Sequence, residues 1–265
     1  LIAPVFRKPQ INNNPEERDM ARIALVTGGI GGIGTSICTR LAQDGCTVVA
    51  NHHPSEAAAA EAWRKDRKAE GFAIDTIAAD VSSFEDSARM IKEITEKHGP
   101  VDILINCAGI TRDKTFKKME LAQWEAVMRV NLDSVFNVTR NVWEGMLDRG
   151  FGRIINISSV NGQRGQFGQA NYSAAKAGMH GFTMALAQEG ASKGVTVNTV
   201  SPGYVETAMT LAMDDTVRNS IISGVPMRRM AQPAEIAAAI AFLASDDSAY
   251  ITGANLPVNG GLFMH

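Results

Sequence analysis

The chain has 265 residues, 45% of them hydrophobic and 20% charged, with a net charge of −2. That length suffices for the core of one α/β domain, and a charge so near neutral argues against nucleic acid or an anionic membrane as a partner. Cys38, Cys46 and Cys107 are odd in number and lack metal-ligand spacing. They read as small buried hydrophobes of a cytoplasmic protein with no metal site.

Residues 1–19 differ in character from the rest of the chain, because Pro4, Pro9, Pro15 and the Asn12–Asn14 run break every helical or strand period. We read them as a tag or leader outside the fold, the alternative being an arm used in subunit contacts. Residues 20–265 read as one domain. A short apolar run, Arg22–Thr27, leads into Gly28-Gly29-Ile30-Gly31-Gly32-Ile33-Gly34, after which Ile33, Ile37 and Leu41 mark a helix stopped by Gly45. Thr47–Ala50 is the next strand. A strand, a glycine turn and a helix within a βαβ unit suit a pyrophosphate: glycine lets the backbone approach closely, and the helix N-terminus offers N–H donors.

The alternation continues through helix 56–70, strand 72–79, helix 84–98, strand 101–106, a long helix 120–147 and strand 153–157. A helix carrying Tyr172 to about Lys193, strand 195–200, helix 233–244 and strand 255–258 complete it. Strands alternating with helices predict a single-domain Rossmann fold: a doubly wound, parallel, seven-stranded sheet with helices on both faces. The glycine turn, Asp80, Ala108-Gly109, Ser159 and Pro202-Gly203 all follow C-terminal ends of predicted strands, the edge at which such sheets bind ligands. The irregular stretch 202–230 reads as a helical lid over that edge or as a loop packed on the body.

The stretch from Ser159 to Lys176 concentrates the chemistry. Tyr172 and Lys176 are four apart on a helix and share a face. An ammonium beside a phenol favours phenolate, so Lys176 is expected to lower the Tyr172 pKa and make it a usable proton donor. Ser159, across a Gly/Gln loop, would hydrogen-bond the same substrate oxygen.

With these residues assembled, the chain resembles the short-chain dehydrogenase/reductase family over 20–265. The matches are Thr27-Gly28 with Gly32 and Gly34, Asn106-Cys107-Ala108-Gly109, Asn131, Ser159, Tyr172 with Lys176, and Pro202-Gly203. Within it, Gly109–Asp113, Ser158–Gln163, Gly165–Gln169 and Ser201–Tyr204 resemble the acetoacetyl-CoA reductases of polyhydroxybutyrate synthesis. The resemblance implies a catalytic set of Ser159, Tyr172, Lys176 and Asn131, with Asn131 anchoring a water relay to Lys176 or simply bonding inside a bent helix. It implies dinucleotide contacts from Thr27, Gly28, Gly32, Ile33, Gly34, Asn51, His52, His53, Asp80, Val81, Asn106, Ala108, Gly109, Tyr172, Lys176, Pro202 and Gly203, with Asn106 near the adenine ribose and Lys176 on the nicotinamide ribose. Substrate contacts would come from Asp113, Gln163, Gln166, Phe167, Gln169 and Tyr204, although Phe167 and Tyr204 could equally pack.

The reaction implied is hydride transfer to the 3-keto group of acetoacetyl-CoA or a related 3-oxoacyl-CoA, giving the (R)-3-hydroxy product, in a homotetramer. The alternatives are a 3-oxoacyl-acyl-carrier-protein reductase and a non-enzymatic dinucleotide sensor on the same fold. The loop after the second strand, Asn51-His52-His53-Pro54-Ser55-Glu56, holds no permanent cation to meet a 2′-phosphate. NADH is therefore expected over NADPH, with His52 or His53 the route by which NADPH could still bind. Gly190, late in the Tyr172 helix, marks fraying or a tight contact.

Overall fold

The computed structural model describes residues 21–264, so the leader assigned to 1–19 lies outside the described residues. Seven strands form one sheet in the order β3-β2-β1-β4-β5-β6-β7, every neighbouring pair parallel. They are β1 (Ile23–Val26), β2 (Thr47–His52), β3 (Asp75–Ala78), β4 (Ile103–Asn106), β5 (Gly152–Ile157), β6 (Val195–Pro202) and β7 (Asn255–Val258). Burial on both faces explains why inner strands such as β1 and β4 read as apolar runs. In β1, Ala24 and Val26 join the core beneath α1 (Gly32–Gln43) and α10 (Pro233–Ala244), with Ile37, Leu41, Ile236 and Ile240. Ile23 and Leu25 join the opposite layer with Met90 and Ile94 of α3 (Phe84–His98) and Val138 and Met146 of α5 (Ser134–Arg149).

Strand order reverses between β1, which leads outward to β2, and β4, which leads the other way to β5. The loops leaving β1 and β4 meet there: Gly28 has φ 62°, and a Cβ on it would lie 3.0 Å from the Ala108 Cα. This is the crevice in which doubly wound sheets take ligands.

Three expectations change in detail. The long helix 120–147 is α4 (Leu121–Met128) and α5 joined by a π-helical turn, Arg129–Asp133, with Asn131 inside it. The Gly/Gln loop after Ser159 contains a short helix, α6 (Val160–Arg164), which the Ser159 hydroxyl caps by accepting the Asn161 N–H at 3.1 Å. The third strand forms only at 75–78, because Phe72 turns in to close the preceding helix, α2 (Ala57–Ala69), with its N–H on Arg67 O. Gly190 ends α7 (Ala170–Gly190) at a tight contact, since a Cβ there would lie 2.9 Å from the Trp143 ring. The stretch 202–230 carries two helices, α8 (Ala208–Leu211) and α9 (Asp215–Gly224).

Candidate active site

The glycine turn is a cradle built by exclusion. A Cβ on Gly34 would sit 2.3 Å from Gly28 O, and one on Gly29 would sit 2.7 Å from the Ala50 Cβ. Only glycine lets α1 lie this close to the turn and the turn this close to β2. Gly32 is approached from above by Thr207, whose Cγ2 would be 2.9 Å from a Cβ. The α1 N-cap is Gly31, which has no side chain to fold back on the helix, and the first turn holds no acidic residue. The first N–H groups and the positive end of the helix dipole are thus left facing the crevice. These features fit the pyrophosphate of a dinucleotide. Ile33, half-buried, packs that first turn onto the core.

Several residues expected to touch the dinucleotide are bonded into the scaffold around the crevice. The Thr27 hydroxyl accepts the N–H groups of Cys107 at 3.0 Å and Ala108 at 3.1 Å, stitching the β1 and β4 loops together. Asn51 is buried, its Oδ1 accepting the Gly28 N–H at 3.4 Å and its Nδ2 donating to Ala79 O at 3.1 Å. Asn106 is bonded most fully: its amide donates to Thr139 Oγ1 at 3.1 Å and Asn156 Oδ1 at 2.8 Å, so both amide protons are committed within the protein. The chain of bonds continues from Asn156 Nδ2 to Thr183 Oγ1 and from there to Thr199 Oγ1, a polar seam through the packed sheet. Val81 is buried and offers its carbonyl to Asn137 Nδ2 at 3.0 Å, while the Asp80 carboxylate closes its own turn on the Ser82 N–H and hydroxyl. Gly203 sits so close to Asn259 that a Cβ would be 2.9 Å from its Cα, and Pro202 is the last residue of β6.

At the loop after β2, His52 is buried with its Nδ1 at 2.9 Å from His53 O. The His53 ring accepts the Ser55 N–H, and the Glu56 carboxylate accepts the His53 N–H at 3.1 Å. Arg89 reaches the neighbouring strand end through Ala78 O, but it is paired with both Asp86 and Glu93.

Ser159, Tyr172 and Lys176 converge beside the ends of β4 and β5. Burial pushes the Tyr172 phenol up; a hydrogen bond with Ser159 acts downward, and the Asp113 and Cys107 charges act upward. The expectation that Lys176 lowers this pKa is corrected. Its ammonium lies 5.7 Å from the Tyr172 ring centroid and donates to Ile157 O at 2.7 Å, and burial takes its own pKa down to about 8. Desolvation penalises both charged forms, so a neutral phenol and a readily deprotonated amine face each other. Asn131 is fully buried, and its amide clasps Ile110 at both ends, Oδ1 accepting the N–H at 2.8 Å and Nδ2 donating to O at 2.9 Å. A Cβ on Gly109 would lie 3.5 Å from both Asn131 Oδ1 and Lys176 Nζ. The π turn thus sets the floor between the β4 loop and the lysine.

Of the expected substrate residues, Asp113 and Gln169 form a chain with Asn161: Gln169 Nε2 donates to Asp113 at 2.7 Å, and Asn161 Nδ2 donates to Gln169 Oε1 at 2.9 Å. Asn161 is a member that the sequence pattern did not single out. Gln163 has a buried Oε1 with no protein partner among the described residues, whereas Gln166 is exposed. Phe167 is 87% exposed and so is not packed. Tyr204 lines a cavity of about 90 Å³ with Val225, Met227, Ala231 and Val258.

The short chain dehydrogenase family profile matches residues 22–218. The chain is 85% identical over 246 residues to an acetoacetyl-CoA reductase of Allochromatium vinosum, covering 93% of this chain and 100% of that relative. It is 54% identical over 243 residues to an acetoacetyl-CoA reductase of Cupriavidus necator, covering 92% and 98%. A 3-oxoacyl-acyl-carrier-protein reductase of Vibrio cholerae is 45% identical over 243 residues, again covering 92% and 98%. The chain belongs to the short chain dehydrogenase family, and its site is that of an oxidoreductase using a nicotinamide dinucleotide on a keto/hydroxyl pair.

Proposed function

From that membership we propose that the protein reduces the 3-keto group of acetoacetyl-CoA to (R)-3-hydroxybutyryl-CoA, for polyhydroxybutyrate synthesis. The observation that carries the reading is the identity with the Allochromatium vinosum reductase along that relative's whole length. The glycine cradle at Gly28, Gly32 and Gly34 would hold the dinucleotide, which supplies the hydride when bound. The Ser159 hydroxyl accepts the Asn161 N–H, and the proton it otherwise shares with Tyr172 is the one it would donate to the keto oxygen. A phenol held neutral by burial is an acid suited to protonating the alkoxide as charge develops there. Lys176, with a pKa of about 8, resupplies that proton from a site braced by Asn131. Asp113, Gln163, Gln166, Phe167, Gln169 and Tyr204 would meet the acyl thioester.

NADH is the proposed reductant. The loop 51–56 holds no permanent cation, the Glu56 carboxylate sits at its mouth, and Arg89 is committed to two carboxylates. A 2′-phosphate would meet net negative charge there. We place the enzyme in the cytoplasm as a homotetramer, read residues 1–19 as a leader outside the domain, and take the exposed apolar Phe136 and Met184 on α5 and α7 as subunit contacts. Among the described residues no helix is long and apolar enough to cross a membrane.

The test is the initial rate with acetoacetyl-CoA and either NADH or NADPH. Turnover favouring NADH is expected. A preference for NADPH would discard the charge argument, and turnover only with acyl-carrier-protein thioesters would replace the substrate.

A further inference from the structure

Behind Lys176 and Ser159 lies a polar residue, His180, that none of the preceding roles includes. His180 lies one turn beyond Lys176 and two turns beyond Tyr172 on α7, and so shares their face. Its Nε2 is 2.9 Å from Ser158 Oγ and 3.4 Å from Ser201 Oγ. Ser158 donates its hydroxyl proton to the Lys176 carbonyl at 2.8 Å, and Ser201 donates its own to Asn255 Oδ1 at 2.7 Å. Both hydroxyl protons are spent, so each oxygen is left to accept, and the proton on Nε2 must belong to His180. The network thereby sets the tautomer.

Ser158 directly precedes Ser159 at the end of β5, and its N–H is bonded to Val200 O on β6 at 2.8 Å. Its hydroxyl therefore ties the strand carrying Ser159 to the helix carrying Lys176. Gly162 closes the joint, because a Cβ there would lie 2.8 Å from the Lys176 carbonyl carbon and 2.9 Å from Ser158 Oγ. We propose that His180 is a positioning residue of the reduction: through its Nε2–H on Ser158 it fixes the distance between the Ser159 hydroxyl and the Lys176–Tyr172 face. An apolar side chain at 180 would leave Ser158 Oγ without its donor and free to rotate away from the Lys176 carbonyl. Misplacement of this kind typically costs roughly 10- to 100-fold in rate without weakening ground-state binding.

The inference rests on the reductase reading for its assay. His180→Leu, His180→Gln, Ser158→Ala and the His180→Leu/Ser158→Ala pair are compared with the wild type in kcat, KM, dinucleotide Kd and Tm. We expect His180→Leu to lower kcat about tenfold or more, with KM and Kd within about twofold, and His180→Gln, which keeps an N–H donor, to recover most of it. The double variant should be no slower than the slower single one, since both break the same link. Unchanged kcat in His180→Leu overturns the proposal. So does a Gln variant as slow as Leu, or a loss of Tm with unchanged kcat per folded enzyme. If the wild type fails on acetoacetyl-CoA, the substrate reading falls, and the same variants are scored on whichever keto substrate the wild type reduces.

Discussion

The wall that holds Tyr172 and Lys176 and the exposed rim beside it are built on opposite principles. In the wall, at the ends of β4, β5 and β6 and along α7, Asn106, Asn156, Ser158, Lys176, Thr183, Thr199 and Ser201 are buried, each bonded to a named neighbour. In the rim, Arg112, Lys114, Lys117, Lys118, Phe116 and Phe167 are exposed, and α9 buries none of its residues. A buried polar group is costly unless paired, so the wall has one arrangement. An exposed rim can rearrange at little cost in stability, because it has few contacts to lose.

The largest break in this contrast is at the proton donor. Tyr172→Phe is expected to lower kcat by about 10²–10⁴-fold with dinucleotide Kd unchanged, measured by steady-state rates and fluorescence titration. An unchanged rate would remove the mechanism. Next is Gly34→Ala. Its Cβ would fall 2.3 Å from a backbone oxygen that cannot swing aside, so unfolding in urea should show a loss of about 1–3 kcal/mol together with weakened dinucleotide binding. A Gly34→Ala protein with full stability and binding would argue against the cradle.

A third prediction concerns pH. Lys176 titrates at about 8 in the fold against an ordinary 10.5, so between those values the unfolded chain binds more protons. Its contribution to stability therefore rises with pH across that window and is flat below it. The thiols Cys38, Cys46 and Cys107 are pushed up from 9.0 by burial and pull the other way above pH 9. Cys38 and Cys46 cancel in a comparison with Lys176→Met, and Cys107, which feels the Lys176 charge, titrates mainly above pH 9, so the variant's stability advantage should shrink as pH rises from 8 to 9. A constant difference would mean that the lysine is not desolvated. The smallest effect belongs to the rim: Phe167→Ala should change stability by less than about 0.5 kcal/mol and show itself in KM alone. A large drop in Tm would place Phe167 in the packed body instead.

Much of the fold and site was legible in the sequence because it is local. Helices 84–98 and 233–244 and strand 255–258 fall where their apolar spacing, caps and Pro233 put them. The Tyr172–Lys176 pair and the glycine turn depend on spacing of a few residues. The bonds that spacing did not reveal were those whose side chains reach distant parts of the chain: Asn51 to Ala79, Asn106 to Asn156, His180 to Ser158. His180 did leave a signal, a polar residue on the Lys176 face of α7, but its partners lie 22 and 21 residues away.

What the sequence determined by itself was therefore the main strands and helices, their alternation in a parallel sheet and the edge at which the site residues gather, since periodicity and turn residues act over one or two turns of chain. Tertiary structure alone decided the electrostatics and the bonding. Burial raised the Tyr172 pKa and lowered that of Lys176, and the register of β5 against β4 and β6 chose which asparagines became scaffold. Desolvation and hydrogen bonding depend on what surrounds a group in space, and a spacing of four along the chain does not specify that.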